Sequence, residues 1–417
     1  MKSSNNVIAG IDIGSSKVAF VVGRVNEGLI EVAAVSSAEN SGLKKGIVND
    51  VEDCLSSISS ALEQAEKKAG VPIDKAVIGV GGAHIITTLS KGIIAVYKPN
   101  GQIDSSDTER VIEASRAVAL PPNQEIIHVI PRQFIVDGQS GVKDPLGMTG
   151  IRLEAEVMII GGSPNALRSL EKCISQSGLS VNNFVFNGLA SSKTLLNKKQ
   201  KEVGVLLLDI GASTTTLTVW EDGDLSHANI LPIGSNHVTN DIAIGLKTSL
   251  EVAEQVKIQF ASCELGETAK TKIDLKKIDP KENQKVEREL IDEICEARMK
   301  EIYDLVRAEL KKIQKDGMLP AGVVLSGGGS LVRGAVVLAK NELHLPVQIG
   351  YPVLEISGEV ELLDQPRFHT ATGLMLEGLD DSYQSNNTFA FNFASLSSRD
   401  LSSYLGKIKG FFRQLLP

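Results

Sequence analysis

The sequence predicts an α/β protein of two related lobes, with a small α+β subdomain inserted into the first. Three observations carry that prediction. A strand–bend–strand unit with Asp-Ile-Gly in its bend occurs once in each half of the chain, at residues 7–22 and 205–219. Around each unit, short β-branched runs alternate with helix-period segments, the pattern of a sheet covered by helices. Residues 82–161 break the alternation, and about eighty residues can form a small core of their own. At 417 residues the chain is long for one core and suits two lobes.

The first unit reads VIAGIDIGSSKVAFVV. Its apolar runs, 7–11 and 18–22, are too short and too β-branched for helices, so they form two buried strands joined as a hairpin. Gly14 in the bend lets backbone N–H groups approach a phosphate with no Cβ in the way, while Ser15, Ser16 and Lys17 add donors and a positive charge. Asp12, closing the first strand, can hold Mg²⁺ directly or through water. A single Asp-x-Gly is better explained as a tight turn whose Asp caps its own backbone. The second copy, VLLLDIGASTTTLTV, reverses that preference: Asp209, Gly211, Ala212, Ser213 and Thr214 repeat the bend, as in a pseudo-symmetric protein that grips one phosphate chain from both sides. A third loop, Ser326, Gly327, Gly328, Gly329 and Ser330, follows a short strand at 322–325 and opens a helix near Leu331. Free N–H groups and close backbone approach coincide at such a place, which suits a nucleotide.

Taken in order, residues 29–36 form another strand. Next, Val51, Leu55, Ile58, Leu62, Ala65 and Ala69 mark one helical face, with Asn49 or Asp50 as cap and Gly70 as stop. A strand returns at 75–79. Within the insert, strands are expected at 92–97, 126–136 and 152–160, and a helix at 106–119, ended by Pro121-Pro122. Ser163 caps a helix with Pro164 in its first turn, Gly178 ends it, and a strand at 181–186 leads to a helix opened by Asn187. From 236 to 318 the composition shifts towards charge. Thr248 and Glu251 fit a capping box before Val252, Val256 and Phe260. Glu254 and Lys257 share a helix face, where a solvated ion pair is the default reading. A second charged helix, 282–315, carries an apolar stripe through Ile291, Ile294, Ile302, Leu305 and Ile313.

Lys and Arg number 43 against 51 Asp and Glu, a net charge of −8. Such a chain is not built to coat nucleic acid, and an anionic membrane repels it unless a local segment reverses the sign. Cys54, Cys173, Cys263 and Cys295 lack metal-ligand spacing and read as reduced residues of a cytosolic protein. With no signal region at the start and no apolar stretch near eighteen residues, the expectation is a soluble or peripheral protein.

The end of the chain differs from the rest. Residues 378–400 are polar and loosely patterned, as a flexible linker is, although Phe389, Phe391 and Phe393 alternate as a short strand on the body or a sticky contact would. At 100° per residue, Tyr404, Leu405, Ile408, Phe411, Phe412, Leu415 and Leu416 fall within an arc of roughly 140°. Lys407, Lys409 and Arg413 lie outside that arc. This amphipathic helix suits a lipid interface, or a dock on its own protein.

Five stretches resemble the actin-like ATPase superfamily and, within it, the FtsA family of bacterial cell-division proteins: GIDIGSSKV, LLDIGASTTTL, LPIGSNHVTNDIA (231–243), AEQVKIQFASC (253–263) and VVLSGGGSLVRG (323–334). The resemblance spans nearly the whole chain. It implies two actin-like lobes, each with a ribonuclease-H-like core, around ATP and Mg²⁺, the metal held by Asp12 and Asp209 through water. It adds Gly234 to the nucleotide-binding set and brings Glu254 and Lys257 to the ribose and adenine. In hydrolysing relatives the residue matching Asn187 is a Gln or Glu that orients the attacking water. Asn187 is one methylene shorter and cannot act as a base, so weak or negligible ATPase activity is expected.

The implied division is a first-lobe subdomain over 1–81 and 162–198, the insert at 82–161, and a second lobe over 199–377 with a smaller subdomain at about 236–318. A linker, 378–400, and a membrane-targeting helix, 401–417, follow. The implied partners are the C-terminal tail of FtsZ, further copies of the chain in filaments, an anionic membrane surface and other divisome proteins, with no nucleic acid. The implied place is the cytoplasmic side of the membrane at the division septum. Two other readings stay open at this point, a pilus-assembly actin-like adaptor and a small-molecule kinase of the same superfamily. The kinase needs a further catalytic Asp, and no candidate stands out beyond the two metal aspartates.

Overall fold

The first repeated unit folds as Val7–Ile13 (β1) and Lys17–Asn26 (β2), an antiparallel hairpin extended by Leu29–Glu39 (β3). The computed structural model describes residues 7–26, 29–117, 121, 123–264, 271–353 and 356–386. After β3 a small hairpin, Leu43–Lys44 (β4) with Ile47–Val48 (β5), leads into Val51–Ala69 (α1). Asp50 caps α1 by accepting from the N–H groups of Glu52 and Asp53, and Gly70 ends it in the left-handed conformation that a Cβ disfavours. Lys75–Val80 (β6) then runs parallel to β1.

The insert is a four-stranded sheet in the order β7-β10-β8-β9, made of Ile86–Ala95 (β7), Glu125–Val136 (β8), Gln139–Val142 (β9) and Arg152–Gly162 (β10). One face packs on Ser105–Arg116 (α2), and Leu153, Ala155, Val157 and Ile159 meet Val111 and Ile112 in a core of their own. The alternation of exposed and less exposed residues along β7 is that of a half-covered strand. Two boundaries differ from the sequence reading. The strand expected at 92–97 starts earlier, at Ile86, because Thr87 to Ala95 pair with β10 along its length. The helix expected from 106 starts at Ser105, because Asp104 and Asp107 form a capping box.

Pro164–Gln176 (α3) and Ser180–Phe186 (β11) complete a six-stranded sheet of order β11-β6-β1-β2-β3-β19, where β19 is Ser357–Gly358. Asn187–Leu195 (α4) and Lys198–Val203 (α5) carry the chain to the second lobe. There Val205–Ile210 (β12), Thr215–Glu221 (β13) and Asp224–Leu231 (β14) repeat the antiparallel meander of β1 to β3. Ser235–Leu246 (α6) and Leu250–Phe260 (α7) follow, then a hairpin of Lys272–Asp274 (β15) and Lys285–Glu287 (β16), and Arg288–Lys312 (α8). Val323–Ser326 (β17) pairs parallel to β12 as β6 does to β1; Ala335–Leu343 (α9) and Val347–Ile349 (β18) finish the sheet β14-β13-β12-β17-β18. Two sheets with one plan, three antiparallel strands followed by parallel ones, make the actin-like ATPase fold with its ribonuclease-H-like lobes and inserted α+β subdomain.

His369–Asn386 (α10) returns to the first lobe and packs Ala371, Met375 and Leu379 on the sheet face opposite α1. It crosses α4 so closely that a Cβ on Gly373 would stand 1.9 Å from the Ala190 carbonyl oxygen. Buried hydroxyls join the lobes at this crossing: Ser191 meets Thr370 at 2.9 Å, Thr194 donates to the His369 carbonyl at 2.9 Å, and Ser326 meets His369 Nδ1 at 2.9 Å.

Other expectations are corrected. The cap of α7 is Ser249, which accepts from Val252 N–H, while Thr248 turns to Glu282. Residues 285–287 are strand, so α8 starts at Arg288, and Leu305 is exposed because the buried stripe runs through Ile291, Cys295, Met299, Ile302, Tyr303, Val306 and Leu310. The glycine loop opens only a 3₁₀ turn, Gly328–Leu331; α9 begins after a left-handed Gly334. The expected linker starts inside α10, which continues to Asn386.

Candidate functional site

The two Asp-Ile-Gly bends have the same backbone. Gly14 N–H donates to Lys17 O at 2.8 Å and Gly211 N–H to Thr214 O at 2.9 Å, each closing its hairpin one residue past the aspartate strand. Together they wall a cavity of about 810 Å³ between the lobes, within the size range of small-molecule and cofactor sites. Asp12, Gly14, Ser15, Ser16 and Lys17 line one side, and Asp209, Gly211, Ala212, Ser213 and Thr214 the other. The bends also touch, with Ser213 Oγ 2.7 Å from Ser15 Oγ and 3.1 Å from the Lys45 N–H that it accepts.

Electrostatics separate the two aspartates. Asp12 is held by Lys17 Nζ at 3.3 Å and Asn187 Nδ2 at 3.3 Å. Asp209 has no cation of its own among the described residues; Thr370 Oγ1 donates to it at 3.4 Å. Burial and the facing Asp12 charge push its carboxyl up to about 6. A cation between these carboxylates removes that repulsion, so the pair fits a hard divalent ion. No group of three or more His, Cys, Asp or Glu surrounds a point here among the described residues. Two carboxylates suit Mg²⁺, which keeps water and phosphate oxygens in its octahedron, better than a fully protein-bound ion.

Asn187 stands at the first residue of α4, with Nδ2 on Asp12 and a buried Oδ1 that has no hydrogen-bond partner. Gly79 makes the room: a Cβ there would sit 2.4 Å from Asn187 Oδ1. Asn187 lines the cavity, while this orphaned acceptor is itself buried against Gly79. Glu254 and Lys257 also line it, and they are not a solvated pair. Lys257 is 8% exposed, lies 2.6 Å from Glu254, and donates to Thr239 Oγ1 at 2.9 Å.

Gly327 and Gly328 line the cavity, and Gly327 at φ 78° needs to be glycine because a Cβ would stand 2.4 Å from Asp209 Oδ1. Gly234, Gly329 and Ser330 do not reach the wall. Gly234 packs behind the second bend, where a Cβ would be 2.5 Å from the Gly211 oxygen; Gly329 packs on Ile210; Ser330 Oγ donates to Gly327 O at 2.7 Å. They support the site from behind.

The structure adds Thr370, Arg288, Arg333 and Ile258 to the walls. Arg288 and Arg333 both lie near the buried Asp292, which accepts from Ser262 N–H, and Ile258 is exposed. Two guanidinium groups beside an apolar side chain suit a flat aromatic base. Arg333 was legible as part of the glycine-loop motif; Arg288 was hidden by the misplaced start of its helix. Tyr404, Leu405, Lys407, Ile408, Lys409, Phe411, Phe412, Arg413, Leu415 and Leu416 lie outside the described residues, as do Phe389, Phe391 and Phe393. No helix among the described residues is long and apolar enough to cross a membrane.

Comparison with known proteins agrees with this architecture. The family model described as cell division protein FtsA matches residues 206–373, and that of the SHS2 domain inserted in FtsA matches 82–161. The cell division protein FtsA of Pseudomonas aeruginosa is 37% identical over 379 residues, 90% of each chain. That of Bacillus subtilis is 34% identical over 89% of this chain and 83% of its own. Among solved structures, a chain of the PilM–PilN type IV pilus biogenesis complex superposes with a TM-score of 0.67 at 19% identity, over 90% of this chain and 99% of that one. MreB5 of Spiroplasma citri bound to AMPPNP gives 0.56 at 13% identity, over 92% and 100%. Those two likenesses concern the fold alone. The identities over nine-tenths of the length, with both family models in their places, make this chain a member of the FtsA family of cell-division proteins.

Proposed function

We propose that the cleft binds ATP with Mg²⁺, and that the chain polymerises on the cytoplasmic face of the membrane at the division septum, tying the FtsZ ring to it through the C-terminal amphipathic helix. The observation that carries the nucleotide reading is the pair of matching bends with Asp12 and Asp209 facing each other, one of them pushed up to about 6. In this reading the two bends hold the phosphates, Asp12 and Asp209 hold the metal through water, and Gly327 and Gly328 with Glu254 and Lys257 hold the nucleoside. Bound Mg²⁺ supplies the charge that offsets both the phosphates and the carboxylates. Asn187 can hold a water but takes no proton from it, which suits slow turnover. ATP acts chiefly by fixing the angle between the lobes.

Residues 236–318, as a smaller subdomain of the second lobe, receive the FtsZ tail, and the segment 82–161 makes contacts between copies. Lys407, Lys409 and Arg413 each contribute on the order of 1 kcal/mol at an anionic surface. One short helix is a reversible anchor, and a filament multiplies it into firm attachment.

Liposome sedimentation of the intact chain and of a chain ending at Arg399, each with and without ATP and Mg²⁺, tests this. The expected result is cooperative pelleting of the intact chain, strengthened by ATP, and none of the truncated one. Equal pelleting of both removes the anchor from the proposal; binding strictly proportional to free protein removes the coupling to polymerisation.

A further inference from the structure

The insert belongs to the first lobe by chain connectivity, since it leaves at Gly81-Gly82 and returns at Gly161-Gly162. Its contacts reach both lobes: on the first, His128 Nε2 accepts from Phe186 N–H at 2.9 Å. Thr87 Oγ1 on β7 donates to the Ala228 carbonyl of β14 at 2.6 Å, and Lys143 Nζ, just after β9, donates to the Asp222 carbonyl at 3.1 Å and pairs with the Asp224 carboxylate. Leu225, Ala228 and Ile230 of β14 share one apolar cluster with Ile127, Met158 and Ile160 of the insert and with Leu167, Leu170 and Phe186 of the first lobe. The outer strand of the second lobe is thus covered by the insert.

That strand is also tied to the second bend. Past the end of β14, Ile233 O accepts from Thr215 Oγ1 at 2.8 Å, Ser235 N–H donates to Gly211 O at 2.9 Å, and Asn236 N–H to Ala212 O at 2.7 Å. At about 3.3 Å per residue, β14 is a rod of roughly 23 Å running from the bend to the turn that holds Lys143. A second tie meets the root of the insert: Lys45 accepts at its carbonyl from Ala83 N–H at 3.0 Å, and its own N–H donates to Ser213 Oγ of the same bend. The far end of the insert is therefore attached to β14, and its root to a first-lobe turn, between β4 and β5, that itself touches the second bend.

We propose that the insert takes its orientation from the second lobe, so that whatever sets the spacing of the two bends also turns the insert relative to the first lobe to which it is chained. The β14 seam and the Lys45 bridge carry the displacement. This rests on the nucleotide reading of the cleft, because ATP with Mg²⁺ is the agent that fixes the bends. The surface that the insert offers to other molecules then depends on the state of a cleft on the far side of β14.

The test uses paired spin labels on the full chain. The four native cysteines are buried, so labels on Ser140→Cys (insert), Glu63→Cys (first lobe) and Lys311→Cys (second lobe), all at exposed positions, report selectively. ATP binding is measured in parallel by equilibrium dialysis. The expected result is a shift of a few ångströms in the 63–140 distance on adding ATP and Mg²⁺, with the 140–311 distance constant. In Thr87→Val/Lys143→Glu, ATP binds as before and the 63–140 shift falls to less than half; adding Asp224→Lys restores part of it. A constant 63–140 distance with a changing 140–311 distance, in protein that binds ATP, overturns the inference and leaves the nucleotide reading intact. So does an undiminished shift in the double variant. Absence of ATP binding in the unmodified chain overturns both.

Discussion

The two Asp-Ile-Gly bends share a backbone and differ in their surroundings, which shows what a repeated motif does and does not specify. Both close on the same glycine-to-carbonyl hydrogen bond, and both present Asp, Gly and hydroxyls to one cavity. Asp12 has a cation and an amide at hand. Asp209 has a threonine hydroxyl and a facing carboxylate, and its proton affinity rises accordingly. The motif fixes where the carboxylate stands; its charge state is set by neighbours from α4, α10 and the opposite lobe.

Charge removal is the sharpest way to break that comparison. Asp209→Asn and Asp12→Asn are each expected to lower affinity for ATP with Mg²⁺ by about a hundredfold or more, since each removes an oxygen proposed to hold the metal. Their effects on the ligand-free protein are expected to differ in size. A carboxylate whose pKa is raised on folding destabilises the fold above that pKa, and the stability returns as pH falls through about 6. Asp209→Asn therefore stabilises the ligand-free chain at neutral pH, by about 1–3 kcal/mol. Asp12→Asn relieves the charge facing Asp209 but leaves Lys17 without its carboxylate, a loss of about 1 kcal/mol, so it stabilises less than Asp209→Asn. Thermal unfolding without nucleotide reads both, and equal effects would show that the bends are electrically alike.

Behind the second bend, Gly234→Ala places a methyl 2.5 Å from the Gly211 oxygen. The expected cost is about 2 kcal/mol or more in unfolding free energy, with weaker ATP binding, whereas Gly14 has only a carbonyl at 3.1 Å to accommodate. A smaller change comes from pH: proton competition at Asp209 should weaken ATP–Mg²⁺ binding about fourfold between about pH 7.5 and about pH 5.5. Titration by calorimetry reads it, and the weaker binding left in Asp209→Asn should lose the part of the dependence that Asp209 causes. Smallest of all, Ser15→Ala or Ser213→Ala removes the direct contact between the bends and is expected to cost about 0.5–1 kcal/mol, with little further loss in the double variant.

Much of this molecule was legible in its residues. The hairpins, the helix from Val51 to Gly70 with its Asp50 cap, and the bends rest on interactions within a few residues of one another, and short-range chemistry is what a linear pattern records. Errors fell where neighbours in sequence compete for one role. Ser249 displaced Thr248 as cap, and strand pairing with Lys272–Asp274 delayed the start of α8 to Arg288. Glu254 and Lys257 read as surface residues from their helical spacing alone; the family resemblance placed them at the nucleotide, and the packing of α7 against α6 brings them to the cleft wall.

By itself the sequence determined the two bends, the order of the strands around them and the extent of the insert, because periodicity, glycine and capping residues act locally along the chain. The tertiary structure decided the rest: that Gly234, Gly329 and Ser330 stand behind the wall, that Arg288 and Thr370 belong to it, and that the insert rests on β14. Those outcomes depend on which distant segments meet, and burial, facing charges and shared hydrogen bonds arise only after they do.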